Sequence, residues 1–326
     1  MKKTFILFCS IVILISCSNS NQGHKKVAII IPVTIKATES FVTEAQEYLE
    51  KNDIIVEHYS AEGDPTRFET VLKTALYNKP DAIITFGTQL TDIALGNQFR
   101  KNIPMLIASG ITDFKDIIAL KDIGISPPRN FPVALISDLP KEDIFNSLFE
   151  IVNLLLKDKQ KIAGILYNDS EKNSLKLSGL IEEKLKNNNY EVIKGNIKNA
   201  DDIKKVTTAL LVKSCKVLII PHDKTLLSNA NIVSKACYDY LQAIPVVSLD
   251  DGVVKNMLVT ASVSVSYGEL GKMTAETCLK CLKQDIIKSL PIIRPDKAKV
   301  YFNSTGLQKT GIIIPDSIKS TSVIFN

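Results

Sequence analysis

The chain is 326 residues long, 45% hydrophobic and 23% charged, with a formal charge of +5 and no tryptophan. That composition excludes a disordered chain and a multispanning membrane protein, and it leaves material for one large domain or two lobes of ordinary size. The charge falls to +3 once Lys2 and Lys3 are removed, too near balance to suggest a nucleic-acid partner.

The first predicted element is a targeting segment. Lys2 and Lys3 precede an apolar stretch over 5–15, followed by Leu14, Ile15, Ser16 and Cys17. A basic head, a short apolar middle and small residues at the cut describe an export signal over 1–16. The Leu-Ile-Ser-Cys run resembles a bacterial lipobox, which implies lipidation of Cys17 and a tether over 17–25. Such a chain belongs in the cell envelope, anchored on the periplasmic or extracellular face by acyl chains.

Two periodicities then alternate. Apolar runs at 27–33, 54–59, 82–86 and 104–108 read as buried strands. Between them, Phe41, Ala45, Tyr48 and Leu49 share one helical face, as do Phe68, Val71, Leu72, Ala75 and Leu76. The stretch 110–140, with Pro127, Pro128, Pro132 and Pro140, breaks the helical pattern and is expected to cross between lobes. The same grammar resumes with strands at 161–167, 191–194, 217–221 and 245–249 and helices near 174–188, 201–213 and 226–241. A tail from 258 adds a strand, a helix over 267–284 and a strand at 300–302. The expected fold is α/β: two Rossmann-like parallel-sheet lobes joined by a hinge, with a ligand cleft between them. Lobe one takes 26–137 plus about 260–290, and lobe two takes 138–259 plus about 291–326.

In open parallel sheets ligands bind beyond the carboxyl ends of the strands. The loops there carry Thr88 and Gln89, Asp113, Asn168 with Asn173 and Ser174, Asp223 with Thr225, and Asp250 with Asp251. Free N–H groups at the helix start near Thr88 suit an anion, and the aspartates suit an ammonium, so the expected ligand is a small zwitterion. Signals for catalysis, metals and cofactors are weak. His24, His58 and His222 are not at metal-ligand spacing, and no dinucleotide, P-loop or nucleophile-elbow motif occurs. His222-Asp223 offers half of an acid/base pair, which keeps an extracytoplasmic α/β enzyme as a rival reading. Cys278 and Cys281 share a helical stripe with Tyr267, Leu270 and Thr274 and read as core residues rather than a redox pair.

The order of these loops resembles the ABC transporter substrate-binding proteins of the tryptophan/tyrosine type, which have the type I periplasmic-binding-protein fold. The resemblance runs from about 26 to 318 and rests on Glu62-Gly63-Asp64-Pro65, Gly87-Thr88, Ile111-Thr112-Asp113, Ser137-Asp138-Leu139-Pro140, Tyr167-Asn168, Pro221 with Asp223 and Thr225, and Leu270-Gly271. It implies a solute-binding lipoprotein without catalysis that delivers an amino acid, aromatic in many relatives, to an ABC permease. A ligand-sensing module for a membrane receptor is the other reading it leaves. With no Trp in the chain, an aromatic ligand would have to stack on Phe or Tyr, for example Phe86, Phe114 or Tyr167, each of which reads equally well as core. The loop Thr34-Ile35-Lys36-Ala37 lacks the polar-His-Pro pattern common in relatives, and Ser266 stands where many have Asp.

Overall fold

The computed structural model describes residues 24–112, 114, 133–157, 159–283 and 292–326. The expected signal segment, Cys17 and Asp113 lie outside the described residues.

The first sheet is built from β1 (Lys26–Ile31), β2 (Ile55–Ser60), β3 (Ala82–Phe86), β4 (Leu106–Ile111) and β5 (Val133–Ser137) in the order β2-β1-β3-β4-β5, all parallel. Helices α1 (Lys36–Glu50), α2 (Phe68–Tyr77), α3 (Thr88–Leu95) and α4 (Asn97–Arg100) follow its strands. Pro32 ends β1, because its missing N–H cannot continue the ladder. The second sheet has the order β12-β11-β10-β9-β8-β6-β7, from β6 (Ile162–Asn168), β7 (Glu191–Ile197), β8 (Val217–Ile220), β9 (Val246–Ser248), β10 (Ala261–Ser264), β11 (Lys299–Asn303) and β12 (Val323–Phe325). Only the β10–β11 pair is antiparallel among these described strands. Its helices are α5 (Ile144–Leu156), α6 (Lys172–Lys186), α7 (Asp202–Val212), α8 (Lys224–Ser228), α9 (Ala230–Tyr238) and α10 (Asp251–Asn256). Helix α11 (Tyr267–Lys283) returns to the first sheet, and α12 (Ser304–Thr310) and α13 (Asp316–Lys319) close the second.

Each sheet is covered on both faces. In the first, Phe41, Ala45 and Leu49 of α1 and Leu270, Cys278 and Leu282 of α11 bury one face, and Phe68, Leu72, Leu90 and Leu95 bury the other. In the second, Leu148, Ile151 and Leu155 of α5 with Leu177 and Ile181 of α6 oppose Leu210, Leu226, Val233 and Cys237. The four described cysteines are free and buried. Burial pushes the Cys215 thiol up to about 11 and the Cys237 and Cys278 thiols higher still, so none is poised for redox work.

Three details differ from the sequence expectation. Residues 133–137, read as part of a proline-broken crossing, form a fully buried strand, because Val133, Leu135 and Ile136 fill the sheet between prolines that only bound it. The helix expected over 226–241 is two helices, α8 and α9, broken at Asn229, whose side chain donates to the Thr225 carbonyl at 2.8 Å while its backbone leaves helical values. Residues 261–264, assigned to lobe one, pair with β9 and β11 in the second sheet, so the return to the first sheet starts after Ser264.

The crossing after β5 runs beside the one after Ile293. Ser137 N–H donates to the Ile293 carbonyl at 2.9 Å, Lys141 N–H to the Pro295 carbonyl at 2.8 Å, and Lys141 pairs with Asp296 at 2.7 Å. Two strands tied in this way form a hinge.

Candidate functional site

Both sheets share the inner order 2-1-3-4-5, counting each sheet's own strands, so each has a switch point where chain direction reverses. In the first sheet it lies between β1 and β3, and in the second between β6 and β8. The loops bordering these points hold Thr88 and Gln89 on one side and Asn168, Asn173, Ser174, Asp223 and Thr225 on the other.

Gly87 enters α3 at φ +93°, a conformation that suits glycine and turns the chain sharply so that the N-terminus of α3 opens at the strand end. The hydroxyl oxygen of Thr88 is buried without a hydrogen-bonding partner, whereas Gln89 is exposed. Asn168 spends its side-chain oxygen on its own turn, accepting from Ser170 N–H at 3.0 Å, and Ser174 accepts from Asn168 N–H at 2.9 Å. These two shape the loop. Asn173 is half-buried.

The carboxylates are arranged alike. Asp223 Oδ1 caps α8 by accepting from Leu226 N–H at 2.8 Å, and Asp250 Oδ1 caps α10 by accepting from Gly252 N–H at 2.9 Å. In each the second oxygen is buried and unpartnered. Burial and the neighbouring Glu171 push Asp223 up to about 6, while its capped N–H groups and Ser174 oppose the shift. The Ser174 hydroxyl approaches this carboxylate without reaching hydrogen-bond geometry. Burial, then repulsion from Asp250 and Glu269, push Asp251 up to about 7. Thr225 donates to Glu171 at 3.4 Å, and Lys224 N–H donates to the same carboxylate at 3.0 Å.

The fold brings four further side chains to the same crevice: Asp138 and Tyr267, which sequence reasoning did not nominate, and His222 and Glu171, which it placed in cleft loops without a binding role. Asp138 follows β5 directly, so missing that strand concealed its place at a strand end. Its Oδ2 accepts from the Thr112 hydroxyl at 2.8 Å and its Oδ1 has no partner. Burial raises its carboxyl, opposed by His222, Thr112 and Arg294. His222 stands 3.9 Å from Asp138, donates through Nε2 to the Leu249 carbonyl, and leaves Nδ1 buried and unpartnered. Tyr267 packs edge-on against His222, with ring centroids 6.2 Å apart, and against Phe86 at 5.2 Å. Glu171 completes the group. His222 and Asp223 serve different partners and do not form the acid/base pair considered from sequence.

Contacts from the second sheet's loops reach the first. Lys224 Nζ donates to the Gly63 carbonyl at 3.2 Å, and Gly252 lies so close to Ala37 that an added Cβ would meet the Ala37 Cβ at 3.4 Å. The lobes are therefore closed on one another at the crevice mouth. Among the described residues no group of three or more His, Cys, Asp or Glu side chains could hold a metal ion.

A family profile described as ABC transporter substrate binding protein matches residues 20–323. The chain is 25% identical over 279 residues to a tyrosine-binding protein of Clostridioides difficile, covering 85% of this chain and 77% of that one. The crystal structure of an ABC domain in complex with L-Trp from Streptococcus pneumonia superposes with a TM-score of 0.77 at 19% identity, covering 93% of this chain and 100% of that one. The ligand-free, open structure of a substrate-binding protein with adhesive properties from Clostridium difficile gives 0.68 at 23% identity, covering 93% and 99%.

Proposed function

The chain belongs to the ABC transporter substrate binding protein family, and from that premise we propose that it is the extracytoplasmic, lipid-anchored solute receptor of an ABC importer, closing its two lobes around an amino acid or a similar zwitterion. The observation that carries this reading is the set of buried, unpartnered carboxylate oxygens on Asp138, Asp223 and Asp250 at strand ends. A buried carboxylate without a counter-ion costs several kcal/mol, and an ammonium brought in by the solute relieves that cost. The solute's carboxylate is assigned to the N-terminus of α3, where backbone N–H groups and the Thr88 hydroxyl await an anion. Asp138, Asp250 and His222 lie on the same side, since Tyr267 bridges His222 to Phe86, two residues before Thr88. The adjacent ammonium and carboxylate of an α-amino acid fit these neighbouring places. Asn168 and Ser174 act as loop supports, and Gln89, Asn173 and Thr225 line the approach. The amino-acid names attached to two relatives support the same class of ligand.

The anchor rests on the Leu-Ile-Ser-Cys motif. Metabolic labelling with an alkynyl fatty acid is expected to mark the intact chain and to miss Cys17→Ser; equal labelling of both removes the anchor. For binding, Thr88→Ala and Asp250→Asn are each expected to weaken the amino acid by about 1 to 3 kcal/mol, read by titration calorimetry. Unchanged affinity in both variants removes these residues as contacts.

A further inference from the structure

We infer that the crevice selects a solute carrying two cationic nitrogens, a diamine or an amino acid with a basic side chain, over one carrying an aromatic side chain. This inference rests on the amino-acid reading above and concerns the far end of the same solute. Its geometric basis is the end of β8. His222 and Asp223 are consecutive just beyond β8 and engage different neighbours: His222 stands 3.9 Å from Asp138 and donates to the Leu249 carbonyl, whereas Asp223 caps α8 beside Glu171. They divide the crevice into two acidic places. In the first, Asp138 and Asp250 flank His222, and each of the three presents one buried polar atom without a partner. In the second, Asp223 presents its free Oδ2 beside Glu171.

The protein's own cations do not fill the second place. Lys224 Nζ is engaged by the Gly63 carbonyl, and Arg294 lies over the Phe114 ring with Nη1 donating to Ser137 at 3.3 Å. One α-ammonium can neutralise one of these two places; a second nitrogen completes the other. With no group of described residues arranged for a metal ion, the missing charge is assigned to the solute.

The aromatic rings give the complementary argument. A stacked aromatic ligand needs a ring with a free face. Tyr167 carries the Lys194 ammonium 4.6 Å from its centroid, and Phe114 carries the Arg294 guanidinium at 5.8 Å. Phe86 is held between Phe41, at 4.6 Å, and Tyr267, and the Gly110 backbone presses so close to its ring that a Cβ there would lie 2.7 Å away. Each of these three rings thus already has a partner of its own.

The test strips endogenous solute by unfolding and refolding, then titrates lysine, ornithine and putrescine against norleucine, tyrosine and tryptophan. Lysine is expected to bind about 30-fold more tightly than norleucine, the equivalent of one charge-assisted hydrogen bond. Asp223→Asn, which keeps an oxygen to cap α8, is expected to shrink that ratio to about threefold or less, and Glu171→Gln to shrink it in the same direction. Melting curves establish that both variants fold. Tyrosine or tryptophan binding more tightly than lysine and putrescine, or a lysine-to-norleucine ratio unmoved by both variants, overturns this inference and leaves the amino-acid reading standing. Binding of none of the six by the refolded wild type overturns both.

Discussion

Asp223 divides its work between two oxygens. One closes the N-terminus of α8, and the other is held in the crevice without a partner. Its carboxyl, pushed up to about 6, and that of Asp251, pushed up to about 7, both lie above the ordinary aspartate range. A raised carboxyl means that the native state binds protons more tightly than the unfolded chain, so stability increases as pH falls through the native values. The ligand-free protein is therefore expected to melt at higher temperature at pH 5 than at pH 8. The gain reverses in stronger acid, where the lowered carboxyls of Glu57, Asp169 and Glu182 take up protons and lose their hydrogen bonds. Affinity for an ammonium solute should run the other way, falling from pH 8 to pH 5 as the same aspartates are neutralised. Melting and calorimetric series across this range test both slopes, and a flat profile in either removes these groups as the titrating ones. Asp223 and Asp250 could be nominated from sequence because each follows an apolar run and precedes a helix. His222 and Glu171 could be placed in strand-end loops from sequence, but not paired with their neighbours, because that depends on which strand ends face each other across the crevice, information that no local pattern carries.

At the level of elements, the tightest fit is α11 against α1. A Cβ at Gly271 would lie 2.2 Å from the Phe41 carbonyl oxygen, a backbone atom that cannot rotate away. Gly271→Ala is thus expected to push the helices apart and to destabilise by about 2 kcal/mol or more in denaturant titration. Gly179, on the exposed face of α6, has nothing within 4 Å of the same position, so Gly179→Ala should stabilise by about 0.5 to 1 kcal/mol through backbone entropy alone. Opposite signs from one type of substitution are the test; equal signs would mean that contact geometry does not govern these helices. The strand and helix alternation was readable because each parallel strand is buried on both faces and each helix on one stripe. Strand β5 escaped because its five residues sit among prolines that local rules read as breaks. Helices α8 and α9 merged on paper because the apolar stripe from Leu226 to Cys237 continues in sequence across Asn229, where the backbone does not.

Across the whole molecule, closure depends on few contacts between the lobes. Lys224→Ala removes the bond to the Gly63 carbonyl, worth about 1 kcal/mol, and so shifts the open and closed populations about fivefold toward open. Small-angle scattering is expected to record a larger radius of gyration for the ligand-free variant than for the wild type, with the two coinciding when saturated by solute. Identical ligand-free curves would rule out this contact as a latch. The two-lobe plan was legible because the strand and helix grammar restarts after the prolines, but the crossing points emerge only from pairing between distant strands.

That weave also bears on synthesis. The first sheet lacks part of its cover until α11 has been made, and the second lacks β11 and β12 until residue 325 has emerged, so neither lobe completes its core before those segments are present. A fragment ending at residue 266 would expose the apolar side of α1, Phe41 and Leu49 included, with nothing to replace the missing helix. The nascent polypeptide thus stays incompletely folded until β11 and β12 emerge, well after the strands they pair with.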